Sequence, residues 1–318
     1  MNTKDQLKLS ILIPTFNRAP FLLKNLEMLA GYIRKGNLQK DVEIVVSNNQ
    51  STDKTDEKVK QFQNQNTDIQ FQYYTQNKNI GLEKNALFVL KEAKGEYVMY
   101  LGDDDYIEFN YLKECFSYIN DTSIHCIIPA IKPIDEKGNI LSGGRDLNLP
   151  TKKFEAGYKN CLTNAYRGHQ LSGLVLKRNK LHSSYLNSNV NNIYPFIFFV
   201  SLSCLYGATI HLTKFPTKVT SVPQHKKDWD YGEDGLINDI FDNYKKLPVT
   251  YWQKTKLQLY HYCRQTDRLW GYHQTNKLFF RVFINIWLSK NSTFGFKIVF
   301  PVIVFFQILK AILHKITK

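Results

Sequence analysis

The sequence predicts an α/β fold with an open, mostly parallel sheet flanked by helices, followed by a basic, apolar, helical extension at the C-terminal end. Two observations lead to this prediction. Over roughly the first 110 residues, short apolar runs typical of buried strands alternate with segments of helical periodicity. Towards the C-terminus, aromatic and aliphatic runs recur together with Lys and Arg but almost without acidic residues.

The first predicted unit is a strand over residues 9 to 14, "LSILIP", followed by a helix. The strand is a continuous apolar run, as expected for a strand buried on both faces of a parallel sheet. Pro20 lies where the first turn of the helix is expected, a position that tolerates proline. Further along this helix, apolar residues recur at spacings of four, three and four and therefore share one face: Leu22, Leu26, Leu29 and Ile33.

Two similar units follow. A strand over residues 42 to 47, "VEIVVS", leads to a helix whose start is indicated by the capping residue types Ser51, Thr52 and Asp53. A strand over residues 69 to 74, "IQFQYY", precedes a helix that we expect to end at a cap formed by Gly95. The apolar face predicted for that helix consists of Leu82, Ala86, Val89 and Ala93. A fourth strand, "YVMYL", completes the pattern.

Polar residues follow three of these strands, as "PTFNR", "SNNQSTD" and "GDDD". Ligands of open α/β sheets bind beyond the carboxyl ends of the strands, so one site could collect all three segments. The adjacent carboxylates of Asp103, Asp104 and Asp105 repel one another unless a cation or hydrogen-bond donors lie among them. Mg²⁺ or Mn²⁺ would suit these hard oxygen ligands and could also hold a diphosphate. A solvated turn that caps a helix is the alternative interpretation.

Several other kinds of site are excluded. The sequence has neither GxGxxG nor GxxxxGK[ST], so phosphates must be held in another way. The five cysteines lack a CxxC pair or metal-ligand spacing, which argues against a disulfide framework and structural zinc. The N-terminal apolar run is short and is interrupted by Pro14, so we expect no signal peptide and a cytoplasmic location.

Four segments, in their order and spacing, resemble the nucleotide-sugar half of family 2 glycosyltransferases: "SILIPTFNR", "EIVVSNNQSTD", "NIGLEKN" and "GEYVMYLGDDD". The resemblance covers residues 9 to about 110. It implies the GT-A fold, with a Rossmann-like sheet, and transfer of a sugar from a nucleotide diphosphate sugar donor. It also implies Mn²⁺ or Mg²⁺ as the cofactor.

The same resemblance implies roles for individual residues. Asp104 occupies the metal-ligating position, and the nucleotide sugar is expected to contact Pro14, Thr15, Asn17, Asn49 and Asp103. Asn49 sits at the position that contacts the base, and Asp103 would lie near the ribose or in the second coordination shell of the metal. Two positions depart from the family's pattern. Asn48 and Asn49 stand where many members have a paired aspartate, and an amide can still read a base edge but carries no charge. Gly102 stands where Asp is commonest, which leaves Asp105 as a turn or helix-cap residue.

The second half should provide the acceptor side, including, in inverting members of the family, a carboxylate that deprotonates the acceptor hydroxyl. The segment that best matches the family's Glu-Asp motif is "WDYGEDGL". This match gives Asp234 as the base, with Glu233 beside it. Asp234 lies 130 residues after Asp104, farther than is usual in the family. The segment at the usual distance, "NNIYPFIFFVSL", has no carboxylate. The alternatives are Asp228, Asp230 and an exposed loop without a catalytic role.

Other polar residues of this half have simpler interpretations. His225, Lys226 and Lys227 either contact the departing diphosphate, whose charge grows in the transition state, or are solvated surface residues. We interpret His169 as an ordinary loop or half-buried histidine rather than a proton shuttle.

We find no linker rich in Pro or Ser, and therefore expect one catalytic domain over residues 1–250 and a tail over residues 251–318. Within the domain, residues 9–110 would form the nucleotide-sugar half and residues 111–250 the acceptor half.

The tail is basic and apolar. From Lys245 onwards there are 13 Lys and Arg against the single acid Asp267, which gives +12 of the formal net charge of +14. Nucleic acid would explain the charge but not the many Phe, Ile, Leu and Val residues, so we expect no nucleic-acid partner. The longest charge-free stretch, between Lys297 and Lys310, has 12 residues and contains Pro301. A helix that spans the hydrocarbon core of a bilayer needs about 20 apolar residues.

We therefore predict that the tail lies in the interface of an anionic membrane, with the protein peripheral on the inner face of the cell membrane. A helix that packs against the catalytic domain and closes it is the alternative interpretation.

The expected function is metal-dependent transfer of a sugar to a glycan or lipid-linked glycan acceptor, with inversion, in cell-surface polysaccharide synthesis. A sugar nucleotidyltransferase is the nearest alternative enzyme, but it should have a phosphate loop rich in Gly and Arg where this chain has "PTFNRAPF". If the protein is not an enzyme, the alternative is a catalytically inactive, membrane-associated glycan-binding protein.

Overall fold

The computed structural model describes residues 7–221, 232–272 and 276–316, in which one mixed sheet is flanked by helices. The strands are β1 (Leu9–Thr15), β2 (Val42–Asn48), β3 (Gln70–Thr75), β4 (Tyr97–Tyr100), β5 (Ile124–Ile134), β6 (Lys152–Phe154), β7 (Val175–Lys177) and β8 (Ala208–Thr220). The helices are α1 (Ala19–Lys35), α2 (Thr55–Gln65), α3 (Gly81–Glu92), α4 (Phe109–Ile119), α5 (Tyr158–Asn164), α6 (Leu181–Asn187), α7 (Pro195–Tyr206), α8 (Ile237–Lys245), α9 (Tyr251–Arg264), α10 (Asp267–Trp270), α11 (Asn276–Trp287) and α12 (Phe294–Ile316). Short 3₁₀ helices cover Ala165–His169 and Gly232–Asp234.

The strands lie in the order β3-β2-β1-β4-β7-β5-β8-β6. β1 pairs in parallel with β2 on one side and with β4 on the other, and β2 pairs in parallel with β3. β7 runs antiparallel to β4 and β5, and β6 runs antiparallel to β8. All four strands predicted from the sequence are present within one residue of their expected bounds. The predicted α/β class with an open, mostly parallel sheet is therefore confirmed.

The register of the central strands brings three strand ends together. Thr15 at the end of β1 lies opposite Asn48 at the end of β2. On the other side of β1, Leu12 lies opposite Tyr100, so β4 ends three residues before β1 does. As a consequence, the loop that begins after β4 starts level with the last residues of β1.

Each face of the sheet carries its own apolar core. One core packs α1, α2 and α4 against one face of β1, β2, β4, β5, β7 and β8, and the four residues predicted for the apolar face of α1 are fully buried in it. The other core contains residues of α3 and of most helices from α5 onwards. Because both faces are covered, every residue of β1, β2 and β4 is buried, which explains their continuous apolar sequences.

The predicted face of α3 is partly wrong. Leu82 lies in the first turn and is 49% exposed. The buried face is formed instead by Ala86, Val89 and Leu90, together with Asn85, whose side chain hydrogen-bonds the backbone and hydroxyl of a β2 serine.

Gly95 is not a helix cap, because α3 ends at Glu92 and its cap is Ala93. A Cβ at position 95 would lie 2.6 Å from the backbone nitrogen of Ser10. Gly95 is therefore needed for the close approach of this loop to β1.

The C-terminal helices share the second core. Phe296, Phe300 and Val304 on α12 are buried in the same cluster as residues of α7 and α8. The ring of Phe300 packs edge-on against Tyr262 of α9, with 4.9 Å between the ring centroids. Buried side chains therefore connect the two sides of residue 250, where the sequence predicted the catalytic domain to end.

Replacing Phe300 with Ala should reduce the free energy of unfolding by about 3–5 kcal/mol, the usual cost of removing a buried aromatic ring. Phe305→Ala, on the exposed side of the same helix, is the matched control and should change it by no more than about 0.5 kcal/mol. Urea denaturation of both variants measures the difference, and equal stability of the two would show that α12 is not part of the core.

Candidate active site at the carboxyl edge of the sheet

Asp103 lies at the end of β4 and is linked to the end of β1. The Thr15 hydroxyl donates a hydrogen bond to Asp103 Oδ2 at 2.6 Å, and the backbone N–H of Phe16 is a further donor. Burial, followed by the neighbouring charge of Asp104, raises the pKa of Asp103 to about 7. Two positions predicted to bind the nucleotide sugar, Thr15 and Asp103, are thus in direct contact.

Asp104 is the most accessible of the three carboxylates, with 19% of its side chain exposed. Burial raises the pKa of Asp104, and the positive charge of Arg18 opposes this effect. The guanidinium of Arg18 lies 3.7 Å from Asp104 Oδ2 and is itself 37% exposed. A cationic side chain and an accessible carboxylate therefore stand side by side at this edge.

Asp105 is buried and holds the loop in place. Its Oδ2 accepts hydrogen bonds from the Ser172 hydroxyl and, at 3.4 Å, from the Gln170 amide. Its Oδ1 accepts one from the backbone N–H of Thr220 at 2.8 Å. Of the two roles expected for Asp105, the turn is present, since its backbone N–H donates to the carbonyl of Gly102 at 3.2 Å. The helix-cap role is wrong, because α4 begins only at Phe109, with Glu108 as its N-cap. Burial, followed by the charge of Asp104, raises the pKa of Asp105 to about 7.

The backbone of the same loop is fixed from the other side by Asn25 of α1. Its side-chain amide donates to the carbonyl of Gly102 at 3.0 Å and to that of Asp105 at 2.8 Å. The Thr220 hydroxyl also donates to the carbonyl of Asp104. Sequence reasoning missed these supporting residues, since they lie 65 to 116 residues from this loop along the chain.

On the nucleotide side, Asn49 ties two loops together. Its Oδ1 accepts from the backbone N–H of Ile80, and its Nδ2 donates to Asn79 Oδ1, both at 2.8 Å. Asn48 is similarly engaged, since it donates to the Tyr73 hydroxyl and accepts from the backbone N–H of Ser51. The predicted contact between Asn49 and the base stays a prediction.

Asn17 joins the loop after β1 to the loop after β2. It adopts a left-handed backbone conformation with a φ of 53°, its backbone N–H donates to Ser51 Oγ, and its Oδ1 accepts from the backbone N–H of Thr52. Pro14 is buried within β1, opposite Ser47. The structure thus assembles the predicted residues of the first half at one edge of the sheet.

Asp234, the predicted base, lies at the start of α8. Its two carboxylate oxygens accept hydrogen bonds from the backbone N–H groups of Leu236 and Asn238, at 3.0 and 3.1 Å. This is a helix-capping arrangement. Glu233 forms an ion pair with Arg281 of α11 at 2.6 Å. None of the contacts recorded within the described ranges joins Asp234 to the aspartates after β4.

The alternative bases Asp228 and Asp230, and the candidate diphosphate contacts His225, Lys226 and Lys227, lie outside the described residues.

A further carboxylate, Glu83 in the first turn of α3, contacts the segment that precedes α7. Glu83 Oε1 accepts from the Tyr185 hydroxyl at 2.5 Å and from the backbone N–H of Asn192 at 3.3 Å. Within α7, the ring of Phe196 packs on Tyr100, the last residue of β4, with 4.7 Å between centroids. Sequence reasoning found no carboxylate in the segment that forms α7, because Glu83 reaches it from 109 residues away.

His169 has the structural character that was expected. Its Nδ1 lies 3.0 Å from the carbonyl oxygen of Tyr166 and therefore carries the proton. Burial, and then the positive charge of Arg145, lowers the pKa of His169 to about 3. The imidazole is neutral at physiological pH.

The carboxylate oxygens of residues 102–105, which we call the aspartate loop, are ligands that suit a magnesium or manganese ion. Among the described residues, no group of three or more His, Cys, Asp and Glu side chains could enclose a metal ion by itself. Magnesium is often held by only one or two carboxylates together with substrate phosphates. Asp104, accessible and made of hard oxygen donors, meets that requirement.

A comparison with known protein families matches residues 10–174 to the family described as Glycosyl transferase family 2. The match covers slightly more than half of the chain. The chain belongs to glycosyltransferase family 2. The predicted family is thus confirmed, and the matched segment contains all the predicted nucleotide-sugar and metal positions.

Named glycosyltransferases are similar to parts of the chain. The GalNAc(5)-diNAcBac-PP-undecaprenol beta-1,3-glucosyltransferase of Campylobacter jejuni is 29% identical over 182 residues, which are 57% of this chain and 55% of that protein. The poly(ribitol-phosphate) beta-N-acetylglucosaminyltransferase TarS of Staphylococcus aureus is 27% identical over 132 residues, 42% of this chain and 22% of that protein. The chain thus spans about half of the first relative's length and under a quarter of the second's.

Solved structures share the fold. S. aureus TarS 1–349 in complex with UDP-GlcNAc superposes with a TM-score of 0.65 at 16% identity, covering 88% of this chain and 80% of that one. The mannosyltransferase PcManGT from Pyrobaculum calidifontis, in complex with GDP-Man and Mn²⁺, superposes with a TM-score of 0.59 at 13% identity, covering 88% and 75%. The GT-A fold predicted from the sequence is confirmed.

Asp105→Ala should destabilise the protein by about 1–3 kcal/mol, because it leaves the Thr220 N–H and the Ser172 hydroxyl without their acceptor. Asp105→Asn is the matched control and should cost less, since an amide oxygen can still accept from Thr220. Urea denaturation compares the two, and an alanine variant as stable as the parent would contradict the role assigned to Asp105.

Proposed function

We propose that the chain is a metal-dependent, inverting glycosyltransferase that moves a sugar from a nucleotide diphosphate sugar to a glycan or lipid-linked glycan acceptor, in cell-surface polysaccharide synthesis. One observation carries the proposal: the parallel register of β1, β2 and β4 brings Thr15, Asn49 and the aspartate loop to a single edge of the sheet. This is the edge where open α/β sheets bind their ligands.

In this proposal Asp104 holds Mn²⁺ or Mg²⁺, which would neutralise charge on the diphosphate as it departs. Asp103, fixed by the Thr15 hydroxyl, faces the ribose. Arg18 lies 3.7 Å from Asp104 and is partly exposed, so its guanidinium can pair with two oxygens of a phosphate group bidentately. The fixed loop between Gly102 and Asp105 lets these groups act without rearrangement.

We assign the deprotonation of the acceptor hydroxyl to Asp234. Each carboxylate oxygen has two lone pairs, so the two capping hydrogen bonds leave one on each oxygen free to accept a proton. Glu83 is the second candidate, because it accepts a hydrogen bond from Asn192, in the segment that leads into α7, and Phe196 of α7 packs on the last residue of β4.

The similar proteins support the choice of substrates. The names of two relatives specify an undecaprenol-linked glycan and a poly(ribitol-phosphate) as their acceptors. The structural neighbours were solved with UDP-GlcNAc and with GDP-Man and Mn²⁺. A lipid-linked acceptor would place the enzyme at the inner face of the cell membrane, as a peripheral protein in the cytoplasm.

Asp104→Asn should abolish metal-dependent donor binding while leaving the fold intact, since it keeps the size of the side chain but removes a charged oxygen ligand. The loss in donor hydrolysis with Mn²⁺ should be at least about 10- to 100-fold, a range already typical of residues that only support a metal ligand. Titration calorimetry with nucleoside diphosphates and Mn²⁺ measures binding directly. Asp121→Asn, at an exposed surface carboxylate, is the control and should behave like the parent. Parent-level binding by the Asp104 variant would remove Asp104 from the site.

Asp234→Asn should leave donor binding unchanged and lower sugar transfer by about two or more orders of magnitude, the contribution expected of a general base. Glu83→Gln, measured in parallel, should have the smaller effect. Single-turnover transfer rates, together with donor affinity, separate loss of catalysis from loss of binding. If Glu83→Gln gives the larger fall in rate with unchanged affinity, Glu83 is the base and Asp234 only caps α8.

A further inference from the structure

The outward side of α12 is apolar where a helix of a water-soluble protein is normally polar. Eight exposed apolar residues recur at spacings of one, three and four, and form what we term the outer stripe: Phe294, Ile298, Val302, Phe305, Phe306, Leu309, Ile312 and Leu313. Their exposed fractions range from 38% to 71%. A contiguous apolar surface of this kind indicates a binding surface rather than scattered exposed residues.

The apolar surface extends beyond the outer stripe. Phe280 and Ile284 on α11, and Leu288 directly after it, are exposed at spacings of four. At the start of α12, the hydroxyl of Tyr251 accepts a hydrogen bond from the backbone N–H of Phe294, and the neighbouring Trp252 is 68% exposed. Exposed Trp and Tyr beside an apolar face are typical of segments at a membrane–water interface.

The charge of this region identifies the partner. Lys277, Lys290 and Lys310 are exposed on the same two helices or just between them. From Lys245 onwards the chain has 13 basic residues and one acid. A second copy of the chain would present the same positive charge and be repelled, whereas an anionic lipid surface attracts the cations and accepts the apolar side chains.

The packing of α12 determines its orientation. By length and composition, residues Phe294–Leu313 could cross a membrane. However, the inner side of this helix belongs to the protein core through Phe296, Phe300 and Val304. Gln307 extends this attachment, because its Oε1 accepts hydrogen bonds from the Tyr262 hydroxyl and the Trp270 indole N–H, both at 2.9 Å.

The part of α12 beyond Gln307 is too short to span a bilayer. Residues 308 to 316 would extend about 13 Å at 1.5 Å per residue, against a hydrocarbon core of about 30 Å. Because the preceding turns are bound to the domain along one side, this packing favours a helix that lies along a membrane surface over one that spans it.

We propose that the outer stripe and the adjoining face of α11 form a docking surface for an anionic lipid bilayer, with α12 lying in the plane of the interface. This deepens the proposed function, since it would hold the enzyme where a lipid-linked acceptor is found. Docking itself does not depend on catalysis, so the two proposals can fail separately.

Vesicle flotation of the full chain tests the docking surface. The parent should float with vesicles of phosphatidylcholine and phosphatidylglycerol. The triple variant Ile298→Ser, Val302→Ser, Phe306→Ser should lose at least about tenfold in partitioning, because three apolar side chains no longer enter the acyl boundary. The control is a triple variant at three exposed apolar residues elsewhere on the surface, Ile140→Ser, Leu149→Ser, Leu186→Ser. It should partition like the parent. Point substitutions are preferable to truncation, which would uncover the core side of α12.

Further measurements separate the sources of binding. A second triple variant removes the positive charges and carries Lys277→Gln, Lys290→Gln and Lys310→Gln. It should bind anionic vesicles less well, and its binding should depend less on salt. Light scattering without lipid should find no self-association that depends on the outer stripe. Failure of the parent to float, or flotation of the stripe variant at the parent level, overturns the proposal. Self-association lost in the stripe variant, without vesicle binding, assigns the surface to a second copy instead.

Depth measurements distinguish an in-plane helix from a spanning one. Spin labels at Ile298→Cys and Ile312→Cys, in a Cys263→Ser background because Cys263 is the exposed thiol among the described cysteines, should report the same shallow depth. A spanning helix would separate the two labels by about 21 Å along the bilayer normal, and this result would overturn the in-plane orientation. Donor hydrolysis should be unchanged in the stripe variant, and its absence in the parent would contradict the proposed function alone.

Discussion

The buried carboxylate of Asp105 is the interaction on which the active-site edge depends. It ties the loop after β4 to the end of β8 through Thr220 and to the segment before β7 through Ser172. Parallel strands bring Thr15 and Asn48 level with this loop, but the register alone does not fix a loop. With Asn25 holding its backbone from α1, the loop presents Asp103 and Asp104 in fixed positions. Pre-positioned groups of this kind are what transfer of a sugar with a charged leaving group requires.

The sequence was sufficient to predict the features that depend on local pattern. β1, β2 and β4 are continuous apolar runs, and helix α1 shows its buried face in the spacing of Leu22 to Ile33, because burial on a sheet imposes these patterns on neighbouring residues. The first half of the candidate site followed from the same reasoning, since polar segments at adjacent strand ends must meet. The prediction for Leu82 failed because periodicity does not show where along a helix the packing begins.

The remaining features depend on contacts between distant segments, which no local pattern records. The partners of Asp105 lie 65 to 115 residues away, and Glu83 meets Asn192 across 109 residues. In the sequence, nothing next to Ser172 or Thr220 distinguishes these residues from an ordinary loop or strand residue. The predicted acceptor side is the hardest part to derive from the sequence, because its residues come from segments without a strong sequence motif. This explains why the base could be assigned only to a local match, while the structure adds a second carboxylate beside α7.

In the proposed docking arrangement, one C-terminal segment serves both the core and a membrane. α12 is apolar on both sides, so its sequence does not reveal which side faces the protein, and the structure resolves this through Phe300 and Gln307. Because the outer stripe is assembled only when the inner side is packed, a lipid surface that binds it also favours the folded state by mass action. The docking surface cannot swing away from the domain without exposing Phe296 and Phe300 to water. Membrane attachment through such a helix therefore fixes the orientation of the whole domain, including the edge that carries Asp103 and Asp104, relative to the plane in which a lipid-linked acceptor would lie.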